Sequence, residues 1–172
     1  MRKKIDQTLL GDFMTAFARG VRSPTRIYLV GGASAVLIGW RDSTIDIDLK
    51  LISETDVLRT IPEIKERLQV NVELASPDDF IPQLPDWESR SRFIKRIDQV
   101  DYFHYDFYAQ ALAKIERGHD LDKTDVREMI DRGLIEKKKL VSLFLEIEPN
   151  LYKYPAIDPP AFRQSVETVA NE

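Results

Sequence analysis

Residues 45–51, Ile-Asp-Ile-Asp-Leu-Lys-Leu, alternate without a break between apolar and charged side chains, and this stretch constrains the fold more tightly than any other. A period of two marks a β-strand with one buried face. Ile45, Ile47, Leu49 and Leu51 would form the inner face, and Asp46, Asp48 and Lys50 the outer one. A strand that buries only one side needs further strands beside it and helices over it, so the expectation is an α+β fold, a mixed sheet flanked by helices.

The flanking segments supply those elements. Ile5, Leu9, Leu10, Phe13, Met14 and Phe17 recur at three-and-four spacing and predict an amphipathic helix ended by Gly20. Ile27–Val30 reads as a strand within residues 26–31, stopped by Gly31-Gly32, with a helix from Ala33 closed by Gly39. Ser53, Glu54 and Asp56 suit a helix start, Pro62 can open a second helical stretch to Leu68, and Val70–Leu74 alternates as a strand. Prolines 77, 82 and 85 mark a loop over Phe80–Glu88, and Phe93–Ile97 with Val100–His104 reads as a hairpin turning at Asp98-Gln99. Helices follow from an Asp106 cap to Arg117, from about Thr124 to Arg132, from about Glu136 to Leu145, and over Ala161–Ala170. The domain expectation is an α/β core over 1–105 and a helical C-terminal subdomain and tail over 106–172.

Composition narrows the function classes. The 172 residues contain no cysteine, which excludes Cys-ligated zinc, iron–sulfur clusters, thiol nucleophiles and a disulfide scaffold. No long apolar run or signal-type start is found, so the expected location is the cytoplasm, with no membrane partner. A net charge of −4 argues against a protein that binds mainly by coating nucleic-acid backbone.

The chemistry concentrates in Gly31-Gly32 and, after 13 intervening residues, Asp46-Ile47-Asp48. Alternate strand residues have Cα atoms roughly 6–7 Å apart on one face, so both carboxylates can converge on a cation. Hard carboxylate oxygens suit Mg²⁺, which keeps waters and is completed by substrate phosphates. A glycine pair at a strand-to-helix turn lets backbone amides approach a phosphate. Together they fit phosphoryl or nucleotidyl transfer. Taken singly, a Gly-Gly turn or a solvated D-x-D edge is commonplace.

The run Tyr28-Leu29-Val30-Gly31-Gly32-Ala33, then Gly39-Trp40-Arg41 and Thr44-Ile45-Asp46-Ile47-Asp48-Leu49, resembles the polymerase-β-type nucleotidyltransferase superfamily, closest to its minimal bacterial DUF6036-like branch, related to AbiEii/MenT-type toxins. Lys114-Ile-Glu-Arg117-Gly118 and Asp122-x-x-Asp125 extend the resemblance to about residue 135, although Leu121 stands where those toxins carry Arg. The resemblance implies a nucleotidyltransferase-like fold and a catalytic, metal-binding set of Asp46, Asp48 and a third carboxylate, Glu73, with Asp101 as the alternative. It implies Mg²⁺ or Mn²⁺ as cofactor, and nucleotide contacts from Gly31, Gly32, Ser34, Arg41, Thr44, Lys114, Asp122 and Asp125.

Each assignment has a plainer counterpart. Arg41 can instead pair with Asp42 or Glu54, Lys114 can be a solvated lysine, and Asp125 can be ordinary helix N-terminal charge. His104 and His119 read as packing and loop residues. Arg90, Arg92, Lys95 and Arg96 form a basic cluster that suits either an RNA backbone or a charged strand edge. The functional expectation is transfer of NMP from an NTP to an acceptor hydroxyl, on a tRNA end or a protein side chain, with a toxin–antitoxin setting and an antitoxin partner. The alternative is a catalytically inactive nucleotide-binding or regulatory module of the same fold.

Overall fold

The computed structural model describes residues 3–52 and 55–172 and shows a mixed α+β protein with a single five-stranded sheet among the described residues. Its strands are β1 (Thr25–Val30), β2 (Asp46–Leu51), β3 (Asn71–Leu74), β4 (Arg92–Ile97) and β5 (Val100–His104), in the order β3-β2-β1-β5-β4. β2 runs antiparallel to β1 and parallel to β3, while β5 runs parallel to β1 and antiparallel to β4. The chain divides into two compact units, one of Met1–Ser76 with Ser91–Tyr105, the other of Pro77–Arg90 with Asp106–Glu172.

The first unit contains the whole sheet and helices α1 (Gln7–Gly20), α2 (Gly32–Ile38) and α3 (Thr55–Leu68). Asp6 starts α1, its Oδ1 accepting from the Leu9 amide at 2.8 Å. Ile5, expected on the helical stripe, therefore lies outside the helix and pairs with Thr44 as an isolated β-bridge. Leu10, Phe13, Met14 and Phe17 of α1 pack with Ile27, Leu29, Ile47, Leu49, Val72, Val100 and Tyr102 of the sheet. Each such side chain, fully buried, contributes about 1.5–3 kcal/mol relative to exposure. The Tyr102 hydroxyl donates to the Met14 carbonyl at 2.6 Å, so the one polar atom on that buried ring is satisfied.

Pro62 does not open a second helix. It lies inside α3, which runs unbroken to Leu68. Proline removes one intrahelical hydrogen bond, but Val57, Ile61 and Ile64 are buried on the same helix and hold its axis against the core. The start expected at Ser53 and Glu54 falls outside the described residues.

The second unit is helical: α4 (Trp87–Arg90), α5 (Phe107–Arg117), α6 (Asp120–Asp131), α7 (Lys137–Ile147) and α8 (Pro159–Asn171), with 3₁₀ turns at Pro77–Asp79 and Glu148–Lys153. The proline-rich stretch expected to be loop is thus partly helical, and Trp87 is the buried anchor of its short helix. α6 begins at Asp120 rather than near Thr124, because Asp122 in its first turn accepts from the His119 amide and so satisfies a donor at the helix start. No helix among the described residues is long and apolar enough to cross a membrane.

Asp106 holds the start of α5. Its Oδ1 accepts from the Tyr108 amide at 3.1 Å and its Oδ2 from Arg90 Nη2 at 2.7 Å and Nε at 3.0 Å. Burial pushes this carboxyl above its ordinary value, against the pull of Arg90, the Tyr108 amide and Lys139. Asp106→Ala should therefore cost about 3 kcal/mol in denaturant unfolding, since it removes the cap and leaves Arg90 without its carboxylate. Asp106→Asn, which keeps an oxygen for Tyr108, should cost clearly less.

Candidate functional site

The turn after β1 depends on glycine. Gly31 has φ +59° and ψ −124°, a conformation that residues with a side chain rarely adopt. A Cβ placed on it would lie 3.4 Å from Asp48 Oδ2, so the Asp48 carboxylate stands directly against this turn. At Gly32 a Cβ would fall 2.2 Å from Thr44 Oγ1 and 3.4 Å from an Arg41 guanidinium nitrogen. Thr44 therefore occupies the space that a side chain at Gly32 would need, with Arg41 beside it. Thr44 is fixed from two sides: it exchanges backbone hydrogen bonds with Ile5 at 2.8 and 2.9 Å, and its hydroxyl donates to the Asp46 carbonyl at 3.1 Å.

The strand register assembles the carboxylates. Asp48 pairs with Val30 of β1 on one side and with Glu73 of β3 on the other, and Asp46 pairs with Asn71. Because Ile47 and Leu49 are fully buried in the helix-covered core, Asp46 and Asp48 must face the opposite side of the sheet, and the register puts Asn71 and Glu73 on that same side. Asp46 and Asp48 are half-buried and Glu73 is exposed. Between Asp46 and Glu73 lies the Asn71 amide, whose Nδ2 is 2.6 Å from Asp46 Oδ1 and 2.8 Å from Glu73 Oε1.

Among the described residues, no group of three His, Cys, Asp or Glu side chains forms a ready-made metal cluster. Mg²⁺ does not require one: it binds through one or two carboxylates and keeps its remaining positions for water and substrate phosphates. A pair of hard carboxylates on β2, with the Gly31 turn against one of them, fits a cation of that kind.

The other expected residues are placed differently. Ser34 is fully buried, its hydroxyl donating to the Leu29 carbonyl at 3.1 Å and lying 3.0 Å from His104 Nδ1. Asp101, the alternative third carboxylate, is taken by Arg96, whose Nε lies 2.6 Å from Asp101 Oδ1; that hydrogen bond holds the carboxyl below its ordinary value. The basic cluster is divided between partners, with Arg96 on Asp101 and Arg90 on Asp106.

Lys114, Asp122 and Asp125 meet in the helical unit. Lys114 Nζ, about nine-tenths buried, lies 2.7 Å from Asp125 Oδ2 and 3.5 Å from Asp122 Oδ1, and Arg117 Nε lies 2.7 Å from Asp122 Oδ2. Burial pushes the Asp122 carboxyl up, but the Arg117 hydrogen bond, the Lys114 and Arg117 charges and the His119 amide outweigh it and leave the group below its ordinary value. Helices α5 and α6 are joined through this network rather than by apolar packing alone.

Sequence reasoning passed over Asn71. The available signal was its position two residues before Glu73 on an alternating strand, which puts an amide on the carboxylate face.

The model of a family described as "Nucleotidyltransferase of unknown function (DUF6036)" matches residues 14–157, most of the chain and both of its units. No curated protein and no solved structure matches the chain.

The buried His104 generates a pH prediction. Burial, helped by the Arg92 charge, pushes its imidazole down from 6.5 to about 4. Between those values the unfolded chain holds a proton that the folded one excludes, so stability is complete above 6.5 and falls as the pH drops toward 4. From pH 6.5 to 5 the loss should be about 1.5 kcal/mol in urea unfolding. His104→Gln should flatten that slope; an unchanged slope would assign it to other groups.

Proposed function

The chain belongs to the nucleotidyltransferase family DUF6036, and from that membership we propose that it transfers a nucleoside monophosphate from an NTP to an acceptor hydroxyl, using the carboxylate face beside the Gly31 turn. The observation that carries this reading is the placement of the Asp48 carboxylate against Gly31, with Asp46 and Glu73 on the same side of the sheet. Asp46 and Asp48 would hold Mg²⁺ or Mn²⁺, with Glu73 as the third carboxylate. The cation supplies charge neutralisation on the phosphates and lowers the pKa of an attacking hydroxyl.

The rest of the reaction falls to the chain's own residues. Gly31, the partly exposed member of the glycine pair, has no side chain of its own to keep a phosphate away from the turn. Arg41, packed against Gly32, brings a guanidinium whose planar fork suits phosphate oxygens. Thr44, held by its bridge to Ile5 just before β2, keeps that arrangement in place. Glu73, exposed on the edge strand, has room beside it for the acceptor and takes its proton as the new O–P bond forms at the α-phosphorus and the bond to the β-phosphate breaks, releasing pyrophosphate. Ser34 supports the site from inside, by fixing the start of α2 to β1 and β5. The Lys114–Asp125–Asp122 network steadies the helical unit, and a phosphate contact by Lys114 would require it to exchange its Asp125 partner.

A tRNA end and a protein side chain are the two acceptor classes within this proposal. The test is incubation of the purified protein with each α-labelled NTP, Mg²⁺ and either total tRNA or a cell lysate. Label should pass to one acceptor class, and Asp48→Asn should reduce transfer by at least about a hundredfold, as expected for loss of a metal-binding carboxylate. The same variant should lose the rise in melting temperature that Mg-NTP gives the parent, while melting no lower in EDTA. An Asp48→Asn protein that binds Mg-NTP like the parent would remove Asp48 from the site. Stabilisation by Mg-NTP with no labelled acceptor would favour the regulatory nucleotide-binding module. A toxin role, with its antitoxin partner, extends the AbiEii/MenT resemblance and would appear as Asp48-dependent growth arrest on expression.

A further inference from the structure

Asn71 is 4% exposed and faces Asp46 across the parallel pairing of β2 and β3. Its Nδ2 contacts, 2.6 Å to Asp46 and 2.8 Å to Glu73, are both to carboxylate oxygens, which accept hydrogen bonds. The amide must therefore turn its nitrogen toward them, and both N–H bonds of that nitrogen are used there. One neutral group bridges two anions from adjacent strands.

The chemistry of the bridging group decides what such a bridge can do. A lysine or arginine in this place would hold the two carboxylates but cancel their charge, as Lys114 and Arg117 do for Asp125 and Asp122. An apolar residue would leave two like charges to repel and splay apart. An amide satisfies one oxygen of each carboxylate, adds no charge, and leaves the second oxygen of each outside this bridge. Near-complete burial prevents the amide from swinging away to solvent.

We propose that Asn71 is the positioning residue of the carboxylate face, gathering Asp46 and Glu73 in the metal-free protein and presenting them, still charged, to a divalent cation. This rests on the reading of that face as a cation-dependent nucleotidyl-transfer site. Asn71 touches neither substrate nor reacting atoms in this role and acts through the two carboxylates alone.

The test compares the parent with N71A, N71T and N71D by thermal melting in EDTA and across a titration of Mg²⁺ or Mn²⁺ without nucleotide. N71A has no donor and should weaken the apparent cation affinity about tenfold, the size expected when a group that orients metal ligands is lost. N71T keeps one hydroxyl donor on a side chain suited to a strand and should fall between, which preserves the test if N71A folds poorly. N71D replaces the donor by a further carboxylate, so it should melt lower than the parent in EDTA and gain more from the cation. A merely structural asparagine would give the opposite pattern, every variant losing the same melting temperature with and without cation and keeping the parent's titration midpoint, and that result overturns the proposal. If the parent responds to cation, Asp48→Asn abolishes the response and the Asn71 variants titrate like the parent, this inference alone fails. If the parent shows no response to cation either alone or with NTP, the site reading fails and takes this inference with it.

Discussion

The position of β2 between β1 and β3 is the constraint on which the rest of the candidate site depends. Burying Ile47 and Leu49 against the helices commits Asp46 and Asp48 to the other side of the sheet, because successive strand residues point to opposite faces. A slip of one residue in either pairing would exchange the two sets and put two carboxylates into the core, at a cost of several kcal/mol per ion. Hydrophobic burial thereby fixes the polar face, which contributes little to stability itself. Antiparallel pairing with β1 then brings Asp48 beside Val30 and the turn at Gly31, and parallel pairing with β3 brings Glu73 alongside.

Much of this was legible in the sequence, because the relevant signal is periodic. The alternation over 45–51 and 70–74, the glycine pair and the hairpin at Asp98-Gln99 point to all the strands; the structure assigns β2 to Asp46–Leu51 and β3 to Asn71–Leu74, so that Ile45, expected on the inner face, lies before β2 and is exposed. Helix ends signalled by side-chain caps or glycine were equally clear: Asp106 and Gly118 bound α5 as expected. Two of the failures share a cause, in that tertiary contacts outweighed a local signal. Pro62 marks a helix start in isolation, yet a helix with three buried aliphatic residues continues through it. The prolines before Trp87 read as loop, and the burial of Trp87 makes a short helix there.

The site was legible to a different depth. Residue types and spacing put Gly31 and Gly32 at one turn and Asp46 and Asp48 on one strand, and the structure sets the Asp48 carboxylate against that turn. Pair formation was not legible. Nothing local in the sequence says that Arg96 engages Asp101, that Arg90 engages Asp106 or that Lys114 engages Asp125, since each pair joins separate elements whose approach depends on packing. For the same reason the resemblance offers Ser34 as a nucleotide contact, and nothing local shows that its hydroxyl meets Leu29 and His104 inside the unit.

Two groups of carboxylates among the described residues are satisfied in different ways. In the helical unit the carboxylates of Asp122 and Asp125 face Lys114 and Arg117, and paired charges of this kind form a closed set. On the sheet, Asp46 and Glu73 share a neutral amide, which satisfies hydrogen-bonding capacity and leaves their charge in place. A protein selected for stability alone would gain from a cation-bearing side chain or an apolar pair at that position, because uncompensated like charges on one face are unfavourable. Keeping the charge while fixing the geometry is what a cation-binding face requires. The pairing of each cluster thus separates ion pairs that join two helices from two carboxylates that share a neutral amide, the arrangement on which the proposed cation site is built.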